Sequence, residues 1–119
     1  MIKLFIPLAL GLTSGLALAD PAQILSANAA RADMGWHFEV TVRHNDVDWD
    51  HFADGWEVVD SSGNRLGYRE LYHPHIDEQP FTRSLSGIMI PDGLREVFVR
   101  VHCSRDGWSE QKVAIKLAR

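Results

Sequence analysis

The chain has one cysteine, Cys103, among its 119 residues. An internal disulfide needs two cysteines, so packing alone must hold the fold together. The chain also has no excess of basic residues, because its 12 Lys and Arg are outnumbered by 16 Asp and Glu, which gives a net charge of −4. No basic cluster interrupts this balance. A protein of that charge is a poor partner for nucleic acid, and we predict that it binds none.

Several motifs that carry catalysis or ligand binding are absent as well. The sequence has no Gly-x-Ser-x-Gly elbow and no glycine-rich phosphate loop. The acidic loop at residues 45–54 lacks the spacing of an EF-hand, which disfavours calcium. Cys103 continues the apolar side of a strand, so we predict an inert buried thiol rather than a nucleophile. The residues give no indication of catalysis.

The first 19 residues have the pattern of a signal peptide. Lys3 gives a positive start, residues 4–18 are apolar apart from a Thr-Ser pair, and Ala17-Leu18-Ala19 forms a small-x-small cleavage site. The apolar run is too short and too rich in glycine for a membrane span, and no later segment qualifies. Ala19 stands where a lipoprotein would have cysteine. We predict a periplasmic or secreted protein with a signal peptide at 1–19 and one mature domain at 20–119.

The mature region predicts an all-β domain, because short apolar runs alternate with clusters of Gly, Asp, Asn and Pro. Seven strands are predicted, at residues 24–31, 36–43, 55–60, 65–72, 81–90, 97–103 and 113–117. This pattern is typical of a single antiparallel β-sandwich of immunoglobulin or fibronectin type, with a small barrel as the alternative. The alternation also predicts the core residues, which are Trp36, Phe38, Val40, Val42, Trp56, Val58, Val97, Val99, Val101, Val113, Ile115 and Leu117.

The densest group of chemically active side chains lies at residues 71–83. Pro74 favours an extended backbone between His73 and His75, so the two imidazoles should point the same way. His51 lies in the acidic loop before the predicted hairpin at 55–72, and the other two histidines lie in the loop after it. A hairpin returns the chain to the end that it left, so the two loops should meet.

Two interpretations of these loops remain open. In the first, His51, His73 and His75 bind Zn²⁺ or Cu²⁺, and Asp50, Glu78 and Arg83 orient them or contact a ligand. In the second, no metal binds. His73, Glu78, Gln79 and Arg83 then form a hydrogen-bonded network that stabilises a long loop, or the loop recognises a protein or ligand partner. The residues alone name no partner, and a small binding protein without enzymatic activity satisfies both interpretations.

Two sequence blocks resemble a known pattern. Residues 49–56 read W-D-H-x-A-D-x-W, and residues 73–83 read H-P-H-x-x-E-Q-P-F-T-R. Both are similar to blocks in a family of small uncharacterised exported proteins from proteobacteria. The resemblance covers most of the mature region and implies that His51, His73, His75, Glu78 and Arg83 belong to the family's signature. It implies no activity.

Overall fold

A computed structural model describes residues 21–118, and the predicted signal peptide at 1–19 lies outside the described residues. Within 21–118 the chain forms β-strands, turns and loops, with no helix. The eight strands are β1 Gln23–Ala32, β2 Gly35–Arg43, β3 Ala53–Val59, β4 Arg65–Glu70, β5 Phe81–Ile88, β6 Glu96–Cys103, β7 Gly107–Trp108 and β8 Val113–Lys116. Seven of them correspond to the predicted runs. The short β7 was not predicted, because two residues are too few to show an alternation.

The strands form two antiparallel sheets. One has the order β1-β2-β5, and the other has the order β4-β3-β6-β7, with β8 also paired to β6. The chain crosses between the sheets after β2, after β4 and after β5. These crossings rule out a simple meander, and they produce the predicted sandwich of immunoglobulin or fibronectin type.

The core lies between the sheets and follows the predicted alternation. In β2 and β6 every second side chain is buried, because successive side chains of a strand point to opposite faces. Eleven of the twelve predicted core residues are buried, and Val113 is partly buried against them. Trp56 is fully buried, as expected for the largest side chain at the centre of β3.

The two loops that flank the β3–β4 hairpin meet at one end of the sandwich, as predicted. The backbone N–H of Leu71 donates to the carbonyl of Asp54 at 3.0 Å and closes the base of the hairpin. Further from the hairpin, the backbone N–H of His75 donates to the Asp46 carboxylate at 2.7 Å. The loop before the hairpin and the loop after it are therefore joined through Asp46.

Candidate metal centre

Three potential metal ligands come together at this end of the core. The ligand atoms of His44, His51 and Cys103 all lie within 4.8 Å of one another, and all three residues are buried. No other group of three such ligands is found among residues 21–118. Imidazole nitrogen and thiolate sulfur are donors that Zn²⁺ and copper ions prefer.

The fold explains why residues so distant in sequence meet here. His44 directly follows β2, and Cys103 is the last residue of β6. Cys103 pairs with Ala53 at the start of β3, which brings the preceding loop against the end of β6. Two hydrogen bonds hold that loop: Ser104 N–H donates to the carbonyl of Phe52 at 2.8 Å, and Phe52 N–H donates to Ser104 Oγ at 3.0 Å. His51 is thereby placed next to both other ligands.

Asp46 orients one of the ligands from behind. His44 Nδ1 lies 2.6 Å from Asp46 Oδ1, and both side chains are fully buried. Because Nδ1 donates to this carboxylate, Nε2 is the His44 nitrogen through which an ion would bind. Metal-binding histidines in proteins characteristically have such a carboxylate partner, which fixes the tautomer and the ring orientation. The rings of His44 and His51 meet edge to face, with centroids 5.0 Å apart.

Asp46 is ionised in this position despite its burial. Burial alone would raise the pKa of the carboxyl group, but hydrogen bonds from His44 and from the backbone N–H groups of His75 and Ala53 outweigh it and lower the pKa below its ordinary value. The donor distances of the two backbone bonds are 2.7 and 3.0 Å. Asp46 is therefore a fixed negative charge between the two loops.

One ring nitrogen of His51 is buried. Its Nε2 makes no hydrogen bond to any residue within 21–118. The carboxylate oxygen Asp106 Oδ2 lies 3.5 Å away, outside hydrogen-bonding geometry. A buried polar atom without a hydrogen bond costs free energy, and an ion bound at this point would remove that cost.

The histidines of the second loop are placed differently. His73 and His75 lie side by side as the sequence predicts, with ring centroids 4.6 Å apart. His75 is buried and stacks on Phe81 at 3.8 Å. Arg83 donates to His75 Nε2 at 2.9 Å, which leaves the ring proton on Nδ1, facing Asp46 Oδ2 at 3.9 Å. A guanidinium on Nε2 occupies the lone pair that a metal would need.

Several forces keep His75 neutral. Burial lowers the pKa of its imidazole below the ordinary value, and the positive charge of Arg83 and the neighbouring His73 lower it further. The neutral ring is the form that can accept the hydrogen bond from Arg83.

The remaining predicted site residues lie around this loop. His73 is exposed, with Nδ1 3.2 Å from the carbonyl of Pro74. Glu78 is largely exposed, 3.8 Å from Arg83. Asp50 is exposed, and its backbone N–H donates to Asp48 at 2.8 Å. Gln79, which the second interpretation named, accepts a hydrogen bond from His44 N–H at 3.0 Å and donates to the carbonyl of His75 at 2.9 Å.

Of the predicted ligands, the structure brings only His51 into the three-ligand group. A joint site of His51, His73 and His75 stays a prediction. The sequence interpretation did not select His44, Asp46 or Cys103 for the site. A signal was present, since His44 continues the inward alternation of β2 and Cys103 continues that of β6. Because both residues lie at the ends of strand faces that point into the core, their side chains can meet between the two sheets.

No family model and no solved structure matches the chain. A protein of the halophilic archaeon Halomicrobium mukohataei, described as "Putative lipoprotein", is 42% identical over 78 residues, which are 66% of this chain and 38% of that protein. The chain thus spans less than half of that relative's length. The predicted assignment to a proteobacterial family is wrong, because the relative is archaeal and the two motif blocks are not shown as a family signature.

Residues 21–118 contain no helix of the length and apolar character that a membrane crossing requires.

Proposed function

We propose that this protein is an exported metal-binding protein that holds one zinc or copper ion at His44, His51 and Cys103. The observation that carries the proposal is the buried group of three ligand atoms within 4.8 Å of one another. The hydrogen bond from His44 Nδ1 to the Asp46 carboxylate supports the proposal. Histidines that bind metals usually have a carboxylate on the ring nitrogen that does not contact the ion.

The ligand geometry is close to what an ion requires. Tetrahedral zinc with bonds of about 2.0–2.1 Å to nitrogen and about 2.3 Å to sulfur places its ligand atoms roughly 3.3–3.6 Å apart. From separations of up to 4.8 Å, the ligand atoms of the group need to close by up to about 1.2–1.5 Å, a movement on the scale of side-chain rotation.

Export is the second part of the proposal. The apolar run at residues 4–18 and the Ala17-Leu18-Ala19 site support a signal peptide. The archaeal relative is described as a lipoprotein, which is an exported class of protein. An exported protein that holds an ion without catalysing a reaction would serve storage, delivery or sensing of the metal.

A metal titration tests the proposal. The metal-free protein is titrated with Zn²⁺ in competition with a chromophoric chelator, and its melting temperature is followed. We expect binding of one ion per chain and a higher melting temperature, because an ion present at 100 times its dissociation constant stabilises the native state by about 2.7 kcal/mol. Cys103→Ala should lose both effects.

The matched control is His37→Gln, which removes a histidine from the partly exposed face of β2. This variant should bind zinc like the parent protein. If the parent protein binds no ion in a one-to-one ratio, or if Cys103→Ala and His37→Gln bind alike, the proposed site is wrong.

A second candidate function is a structural or partner-binding module without metal. The hydrogen bonds from Arg83 to His75 and from Gln79 to both His44 N–H and His75 carbonyl favour it, because they stabilise the long loop with no ion. In that case zinc and copper would leave the melting temperature unchanged, while Gln79→Ala would lower it.

A further inference from the structure

The turn between β6 and β7 places a fourth potential ligand beside the group. Asp106 lies three residues after Cys103, and Gly107 follows it with a φ of 81°, a conformation that glycine adopts without strain. This left-handed residue turns the chain back so that Trp108 pairs with His102. The tight return keeps the Asp106 carboxylate close to the end of β6.

Two distances define the position of this carboxylate. Asp106 Oδ2 lies 3.5 Å from His51 Nε2 and 3.9 Å from Cys103 Sγ. In a tetrahedral zinc site, oxygen is roughly 3.4 Å from a nitrogen ligand and roughly 3.6 Å from a sulfur ligand. Toward these two residues Asp106 Oδ2 is within a few tenths of an ångström of a ligand position. It is not part of the group whose ligand atoms lie within 4.8 Å of one another, so the carboxylate must move closer to His44 when an ion binds.

Nearby groups fix the positions of both side chains. The backbone N–H of Asp106 donates to Cys103 Sγ at 3.5 Å, which holds the turn against the end of β6. Arg105 Nε donates to the other carboxylate oxygen, Asp106 Oδ1, at 3.2 Å. This bond fixes the orientation of the carboxylate, with Oδ2 turned toward the ligand group.

We propose that Asp106 is the fourth ligand and that the site is a closed, tetrahedral centre selective for Zn²⁺ over Cu⁺. This inference rests on the proposed function. Two neutral imidazoles, one thiolate and one carboxylate balance the charge of Zn²⁺, whereas Cu⁺ would leave a net negative charge in a mostly buried site. Carboxylate oxygen is also a poor ligand for the soft Cu⁺ ion. Four protein ligands leave no position for a catalytic water, in agreement with a protein that holds the ion.

Asp106→Asn tests the proposal, because it removes the charge and keeps the size of the side chain. Zn²⁺ affinity, measured by chelator competition, should fall by more than about 10-fold. Groups that merely orient a ligand typically cost at least that much when they are removed, so a ligand should cost more. Cu⁺ affinity should stay within about 3-fold, since copper does not depend on this oxygen in our proposal. Co²⁺ bound to the variant should show shifted visible bands, because water replaces the carboxylate in the fourth position, and should keep its thiolate band.

Asp33→Asn is the matched control. It removes the same charge from an exposed turn at the opposite end of β2, and it should leave every value unchanged. The melting temperature of the metal-free Asp106→Asn protein shows whether it folds, and Asp106→Ala repeats the test if it does not. A parent protein that binds neither Zn²⁺ nor Co²⁺ overturns the proposed function itself. A parent protein that binds zinc while Asp106→Asn matches it in affinity and Co²⁺ spectrum overturns only the role of Asp106.

Discussion

Two groups of histidines lie on opposite sides of one buried carboxylate, and their second ring nitrogens face different neighbours. Asp46 Oδ1 accepts from the His44 ring, and Oδ2 accepts from the backbone of His75. Beyond His44 lie another imidazole and a thiol. Beyond His75 lies the guanidinium of Arg83. A histidine is a candidate metal ligand where the lone pair of its ring nitrogen lies near other ligand atoms. Where a guanidinium already donates to that lone pair, as at His75, the histidine belongs to the hydrogen-bond network instead.

The largest effect should come from Asp46, on which both groups depend. Asp46→Ala leaves three buried donors without their acceptor, each at a cost of about 1–3 kcal/mol, so we expect a loss of roughly 3 kcal/mol or more in the free energy of unfolding. Urea unfolding measures it. The control Asp50→Ala removes an exposed carboxylate from the same loop and should stay within about 0.5 kcal/mol. A loss below about 1 kcal/mol for Asp46→Ala would refute the bridging role.

The next effect separates the two histidine groups by metal affinity. His51→Gln removes a proposed ligand and should weaken zinc binding by about 100-fold or more, which corresponds to about 2.7 kcal/mol. His75→Gln should leave zinc affinity nearly unchanged, because its Nε2 already accepts from Arg83. Chelator competition at one pH compares the variants. Equal losses for both would mean that the two groups form one site, as the sequence-based prediction has it.

A smaller effect concerns pH and only the second group. Because burial, Arg83 and His73 lower the pKa of His75 in the folded state, the unfolded chain binds a proton first as the pH falls. The contribution of neutral His75 to stability is complete above its unfolded pKa of about 6.5 and decreases as the pH falls from there to the folded pKa. Urea unfolding from pH 7.5 to 5, with a chelator present, should show this decrease.

The comparison for that experiment is between His75→Gln and His37→Gln. The decrease should be reduced in the first variant and kept in the second, whose histidine lies on β2. A pH profile that is identical in the parent protein and in His75→Gln would contradict the assignment.

The smallest effect should come from Arg83. Arg83→Gln removes the hydrogen bond to His75, and we expect a loss of about 1 kcal/mol by urea unfolding, with zinc affinity unchanged. Glu78→Gln, the control, alters a largely exposed carboxylate 3.8 Å from Arg83 and should change stability by less than about 0.5 kcal/mol. A marked loss of zinc binding in Arg83→Gln would mean that the second loop takes part in the metal site.

Much of the fold could be predicted from the sequence because strands carry their own signal. The alternation in β2 and β6 identified both the strands and their buried faces. The hairpin of β3 and β4 even predicted that the loops before and after it meet, which the bond from His75 N–H to Asp46 confirms. The strand β7 escaped because its two residues have no alternation, and it forms only through pairing with the end of β6.

The site was harder to predict than the fold. The three histidines His51, His73 and His75 were selected because they stand in conspicuous polar loops. His44 and Cys103 stand at the ends of apolar stripes, where a half-buried histidine and an inert thiol are the ordinary interpretations. Burial of Cys103 was predicted correctly, and its neighbours could not be, because they belong to another strand and another loop.

By itself the sequence determined the strands, the buried faces and the meeting of two loops, since alternation and turn residues act over a few neighbouring positions. Only the tertiary structure decided which nitrogen each histidine presents and to what. It put a carboxylate behind His44, a guanidinium on His75, and a thiol at the end of β6 next to His51. These choices depend on pairing between β3 and β6, whose partner residues lie about 40–50 positions apart in the sequence, and on distances of a few ångströms. No local pattern encodes such distances.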